Sequence, residues 1–109
     1  MKLNSYTIFD TASGAYMRPF FMPADGQATR AFADIANDPE HEVGKHPEDY
    51  YLIRNGIFDD QTARYTPEEL ETLMTGLEAV ASRKKQNQGQ VDFGHQAWPR
   101  QEIKAGGTD

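Results

Sequence analysis

Residues 3–9 are dense in β-branched and aromatic side chains, and residues 15–22 continue in kind, so each segment predicts a strand. Between them Thr11-Ala12-Ser13-Gly14 is a run of turn formers, with Gly14 free to adopt positive φ. Pro19 removes a ladder donor from the second strand and places that end at an edge or a bulge. Pro23-Ala24-Asp25 ends the strand and offers Asp25 as a helix N-cap. Over residues 26–37 the apolar positions Ala28, Phe32, Ile35 and Ala36 fall on one helical stripe. Arg30 and Asp34 form an i,i+4 pair on its exposed side, and Asp38-Pro39 stops the helix. Residues 40–49 are polar and read as an exposed loop.

A second strand-rich segment spans residues 50–58 and is interrupted by Asn55-Gly56. That dipeptide forms tight hairpin turns, so one register turns there. A second register makes Asn55-Gly56 a bulge and moves the turn to residues 59–62. The second is favoured by an internal correspondence. Ile8-Phe9-Asp10 recurs as Ile57-Phe58-Asp59, each followed at the same distance by a tyrosine, Tyr16 or Tyr65. Ile and Phe of each copy are expected in the core, with Asp and the turn residues closing the hairpins. Thr66-Pro67-Glu68-Glu69 reads as a capping box opening a helix in which Leu70, Leu73, Met74, Leu77, Val80 and Ala81 follow at helical spacing and whose basic end is Arg83-Lys84-Lys85. The fold expected is α+β: a four-stranded antiparallel sheet with two helices on one face, a ββα-ββα pseudo-repeat. Residues 1–85 form that single domain, and polar, glycine-spaced residues 86–109 form a flexible C-terminal arm carrying Phe93 and Trp98.

Composition removes several chemistries. The 109 residues include no cysteine, which excludes disulfides, thiolate metal sites and cysteine nucleophiles. No apolar run is long enough for a membrane helix and no signal-peptide core is present, so a protein without membrane association is expected. The net charge is −6, and its distribution is uneven. Residues 1–78 carry six Lys/Arg against fourteen Asp/Glu, and residues 79–109 five against three. Contact with a polyanion therefore rests on local clusters of cations.

No nucleophile elbow, phosphate loop or dinucleotide fingerprint occurs, so neither an enzyme nor a cofactor is expected. Asp59-Asp60 is read as a turn-forming pair. His41 and His46, set among Glu40, Glu42, Glu48 and Asp49, are the densest group of metal-ligand types, and they read as a solvated acidic loop whose histidines cap or pair locally; no metal is expected. Aromatics interleaved with cations are the stronger signal. Tyr16, Arg18, Phe20 and Phe21 lie on one strand and Tyr50, Tyr51 and Arg54 on another. Sheets of this kind stack unpaired bases while the cations meet phosphate. The nucleic-acid-binding candidates are Arg18, Phe20, Phe21, Tyr51, Arg54, Arg64 and the cluster Arg83, Lys84 and Lys85.

Several segments together carry a family resemblance: Tyr6-Thr7-Ile8-Phe9-Asp10, Pro19-Phe20-Phe21, Arg30-Ala31-Phe32-Ala33-Asp34, Asn37-Asp38-Pro39-Glu40-His41, His46-Pro47-Glu48-Asp49-Tyr50 and Gly56-Ile57-Phe58-Asp59-Asp60-Gln61-Thr62. Over roughly residues 1–80 the chain resembles the small non-structural protein of gokushoviruses, single-stranded DNA phages of the Microviridae. The resemblance implies a DNA-binding role in the infected bacterial cytoplasm and supplies no catalytic residues. The expected function is non-catalytic binding of single-stranded DNA during replication or packaging, by a protein that forms a homodimer through its open sheet face. The alternative is an acidic adaptor that engages host or phage replication proteins.

Overall fold

The computed structural model describes the backbone of residues 1–94 and the side chains of residues 1–85. Two long strands, β1 (Lys2–Asp10) and β4 (Tyr50–Asp59), pair antiparallel along their whole length and form the centre of the sheet. The short strands β2 (Ala15–Tyr16) and β3 (Phe20–Met22) lie end to end along the free edge of β1, and β5 (Arg64–Thr75) lines the other edge. Helices α1 (Asp25–Ala36), α2 (Glu42–Lys45) and α3 (Gly76–Gly94) complete the fold, with one turn of 3-10 helix at Pro47–Asp49. The architecture is α+β with an antiparallel sheet. It has five strands and three helices where four and two were expected. Pro19 accounts for the extra strand, because the expected second strand breaks into β2 and β3 around Met17, Arg18 and Pro19.

Both hairpins turn at the expected place and in the same way. In each, the carboxylate of the strand's last aspartate accepts the backbone N–H two residues on: Asp10 from Ala12 and Asp59 from Gln61, both at 3.0 Å. The fourth loop residue is left-handed, Gly14 at φ 73° and Ala63 at φ 61°. Its N–H closes back onto the aspartate carbonyl at 2.8 Å in both copies. The flanking registers also agree, Phe9 opposite Tyr16 and Phe58 opposite Tyr65. Beyond the hairpins the halves differ, since the first alone carries a split edge strand and the α2 and 3-10 turns.

Asn55-Gly56 is a bulge. On β1 the register steps from Ser5 opposite Gly56 to Tyr6 opposite Arg54, and on β5 from Pro67 opposite Gly56 to Glu71 opposite Arg54. Asn55 is therefore skipped by both neighbours. Gly56 has no room for a side chain, because a Cβ there would lie 2.6 Å from Thr66 O and from the Tyr65 hydroxyl.

The helix expected from Thr66 to the Arg83-Lys84-Lys85 cluster is instead the long edge strand β5 followed by α3. Thr66 and Pro67 pair with Ile57 and Gly56. On an edge strand the missing proline N–H need not cost a ladder bond. The reciprocal capping box does form, nine residues later: Thr75 N donates to Glu78 Oε1 (2.8 Å) and Glu78 N donates to Thr75 Oγ1 (3.1 Å). Helix α3 continues through Gly94, so residues 86–94 are helical along the backbone; Trp98 and the rest of the arm lie outside the described residues. The N-cap of α1 is Ala24, not Asp25, whose carboxylate turns toward the sheet. Asp34 pairs with Arg83 of α3 at 2.9 Å in place of Arg30. The loop of residues 40–49 is more ordered than its polarity suggests, because Val43 is buried in the core.

The core lies between the helices and one face of the sheet. Tyr6, Ile8, Tyr50 and Leu52 meet Ala28, Phe32 and Ala36 of α1, Val43 of α2 and Ala79 of α3. Burial of this apolar area, at about 25 cal/mol per Å², is what drives the helices onto the strands. No helix among the described residues is long and apolar enough to cross a membrane.

Candidate nucleic-acid interface

Side chains alternate along a strand, and cross-strand partners share a face, so the register assigns each sheet residue to the helix side or the free side. Adjacent aromatics are divided accordingly. Phe20 is opposite Tyr6 on the helix side, where the two rings stack with centroids 5.5 Å apart. Phe21 is opposite Ser5 on the free side and packs on Phe58 at 5.1 Å. Tyr50 is a core residue and Tyr51 lies opposite Phe9 on the free side. The same alternation separates Ile8 from Phe9: Ile8 enters the core, whereas Phe9 packs on Tyr16 across the free face at 4.6 Å. Phe9 and Phe58, expected in the core, are instead surface platforms.

Arg54 falls on the helix side, opposite Tyr6. Its guanidinium is held among carboxylates: NH1 donates to Asp25 Oδ2 at 2.5 Å, NH2 to Glu71 Oε1 at 2.7 Å, and Nε lies 3.9 Å from Glu68. Asp25 also accepts from the Tyr6 hydroxyl (2.8 Å) and from Asn4 Nδ2 (3.1 Å). Burial first, then the hydrogen bond to Asp25, pushes the Tyr6 phenol from 10.0 up to about 12. This network ties the start of α1 to β1, β4 and β5.

The free face has a different chemistry. β1 presents Leu3, Ser5, Thr7 and Phe9 to it; β4 presents Tyr51, Ile53, Gly56 and Phe58. The edge strands add Tyr16, Phe21, Tyr65, Pro67, Thr72 and Thr75. Six aromatics share this face, and no charged residue occupies one of its paired positions among the described residues. Tyr16, Phe21 and Tyr65 are 52%, 41% and 44% exposed, which leaves their rings open to a partner. The Tyr65 hydroxyl donates to the Asn55 carbonyl at 3.1 Å and holds that ring over Gly56.

The expected cations are dispersed. Arg18 is exposed in the β2–β3 connection, between Met17 and Pro19, which both line a depression in the free face. Arg64 is exposed at the far hairpin, opposite Asp59, whose carboxyl the Gln61 N–H holds below the usual carboxylate range. Arg83, Lys84 and Lys85 lie on α3, Arg83 already paired with Asp34. Phe21 and Tyr51 thus share one face with Arg18 beside it, while Phe20, Arg54 and the α3 cations are elsewhere. His41 Nδ1 accepts the Val43 N–H at 3.1 Å and caps α2, apart from the His46, Glu48 and Asp49 group. Phe9, Tyr16, Phe58 and Tyr65 were the residues missing from the candidate set. Their signal was the repeated Phe…Tyr spacing, which places one cross-strand ring pair at each hairpin.

Comparison with known proteins places this geometry in a phage setting. No curated protein and no solved structure matches the chain. The family model described as Phage ORF5 protein matches residues 3–79, which takes in all five strands and the start of α3. The chain belongs to the Phage ORF5 protein family.

Proposed function

We propose that this chain is a non-catalytic accessory protein of a gokushovirus-type member of the Microviridae, binding single-stranded DNA during genome replication or packaging in the host bacterial cytoplasm. The observation that carries the reading is the helix-free sheet face, where six aromatic rings lie at paired positions and the three most open are Tyr16, Phe21 and Tyr65. Every base has a π-face, so such rings hold unpaired bases without regard to sequence. Duplex DNA keeps those faces stacked away. Phosphates follow the rim, where Arg18 and Arg64 are exposed.

The test is fluorescence anisotropy of a labelled single-stranded oligonucleotide, with its duplex as control. Binding to the single strand is expected at low salt, with a slope of log K against log salt of about −0.7 for each phosphate met. Phe21→Ala and Tyr65→Ala each weaken it by about 1–3 kcal/mol. Absence of binding at low salt overturns the reading.

One feature favours a second reading. A face without cations, on a chain of net charge −6, also suits a protein partner: a second copy of the chain, giving a homodimer, or a host or phage replication protein. Sedimentation of the purified chain and recovery of partners from infected cells separate the two. A homodimer that binds no oligonucleotide, or a replication protein recovered without DNA, selects the second.

A further inference from the structure

Helices α1 and α3 pack against each other on the covered side of the sheet, and a groove of about 390 Å³ lies between them. That volume is in the range of small-molecule sites. Ala33, Ala79 and Met74 give the groove an apolar floor. Met74 pairs with the core residue Leu52, which ties the floor to the sheet and sets the groove on the side away from the aromatic face. The walls are polar, with Arg30 and Asp34 contributed by α1 and Ser82 and Arg83 by α3.

The charges on these walls do not balance. One turn of helix separates Arg30 from Asp34, yet Asp34 is taken by Arg83, whose NH2 donates to its Oδ1 at 2.9 Å. Arg30 is left without an ion-pair partner among the described residues. A guanidinium carries five donors in a rigid fork, so the Asp34 bond fixes Arg83 in place and leaves most of its donors unused. Ser82 adds an exposed hydroxyl, whereas Thr29 spends its own proton on the Gly26 carbonyl at 3.0 Å. Lys84 and Lys85 follow, exposed, on α3. On a chain of net charge −6, the fold thus brings Arg30 to the cation cluster of a distant helix, with one carboxylate between them. The complement of such a groove is an anion rich in acceptors.

We propose that the groove binds a phosphate ester, with the phosphate held between Arg30 and Arg83 and the organic group lying on the Met74 floor. A carboxylate has two oxygens in one plane, and a single arginine fork satisfies it. A phosphate directs oxygens to both walls and accepts from two forks at once. Inorganic phosphate would leave the apolar floor uncovered, so the ester is the better complement. Its phosphate comes from a free nucleotide or from a DNA strand, which share this chemistry. The site stands apart from the aromatic face, and neither depends on the other.

The experiment titrates the full chain with thymidine 5′-monophosphate at low salt, following backbone amide resonances. Shifts are expected at Thr29, Ala33 and Ser82, with thymidine itself binding at least about tenfold more weakly. Arg30→Gln, at an exposed position where folding tolerates the change, should weaken the nucleotide by about tenfold or more. Lys45→Gln removes the same charge from an exposed position on α2 and should leave the affinity unchanged. A single-stranded oligonucleotide separates the two sources. Arg30→Gln weakens its binding as well if the groove takes strand phosphates, and weakens only the nucleotide if the ligand is free; both results support the phosphate site. No shift with the nucleotide, equal losses from Arg30→Gln and Lys45→Gln, or displacement by acetate as effective as by inorganic phosphate overturns it.

Discussion

Replacing Arg54 by methionine distinguishes a residue that holds the fold from one that meets a ligand. Methionine keeps most of the apolar stem against its neighbours and removes only the charged fork. The Asp25 contact is the tighter one, 2.5 Å with both side chains more than 60% covered, and a hydrogen bond between charged groups at such a site contributes about 1.5–3 kcal/mol. Glu71 is 56% exposed, so its 2.7 Å contact adds under about 1 kcal/mol. With the guanidinium gone, Asp25, Glu68 and Glu71 face one another uncompensated, which raises the cost further. Arg54→Met should therefore destabilise the domain by about 2–3 kcal/mol. Urea unfolding followed by circular dichroism reads this as a lower midpoint at unchanged slope. A double-mutant cycle with Asp25→Asn should return a coupling of at least about 1 kcal/mol. A variant within about 0.5 kcal/mol of wild type refutes the structural role, because that is the range of an ordinary surface substitution. If such a variant also lost affinity for single-stranded DNA, Arg54 would belong to the interface after all.

Three further substitutions test the fold at other points. Tyr6 ionises at about 12 in the folded chain against 10.0 ordinarily, so its contribution is fully present below pH 10 and is lost as pH rises through 12. That loss is about 3 kcal/mol, and Tyr6→Phe should remove this alkaline step from the stability profile; an unchanged profile refutes the assignment. Ala63 is left-handed at φ 61°, which costs an L-residue about 1 kcal/mol or more. Ala63→Gly should relieve it at some entropic cost and raise stability by about 0.5 kcal/mol, whereas Gly14→Ala in the matching turn should lower it by about 1 kcal/mol. Thermal melts showing the opposite pair of signs would mean the two turns are not equivalent.

What could be read from the sequence was whatever short-range chemistry decides. Both hairpin turns are closed by an aspartate two residues before an N–H and by a left-handed fourth residue, and all of that sits within five consecutive positions. The helix start near residue 70 was a different problem. Thr66-Pro67-Glu68-Glu69 and Thr75-Gly76-Leu77-Glu78 both satisfy the capping pattern, and only pairing of β5 with β4, a tertiary effect, decides between them. Leu70 and Leu77, counted as one apolar stripe, are 59% and 58% exposed, so the periodicity that favoured the earlier start was not a buried face. Arg54 shows a signal present but not followed. Period-2 alternation from the core residue Leu52 already places it beneath the helices, and with it the carboxylate of Asp25.

Asn55-Gly56 joins these lessons to function. As a dipeptide it fits a tight turn and a bulge equally, and no local property separates the two. The choice is made by β1, which pairs with β4 on both sides of Asn55 and so holds the strand straight through the would-be turn. A hairpin at that point would have removed Phe58 and its partner Tyr65 from the sheet, and with them two of the six rings of the aromatic face. The bulge keeps both ring pairs on one surface and leaves Asn55 as the residue neither neighbour can use. An asparagine released from the ladder, facing a depression beside an exposed tyrosine, costs the sheet two backbone pairings that a regular strand would keep. What the bulge preserves in return is the second ring pair, Phe58 with Tyr65, on the same surface as Phe9 and Tyr16.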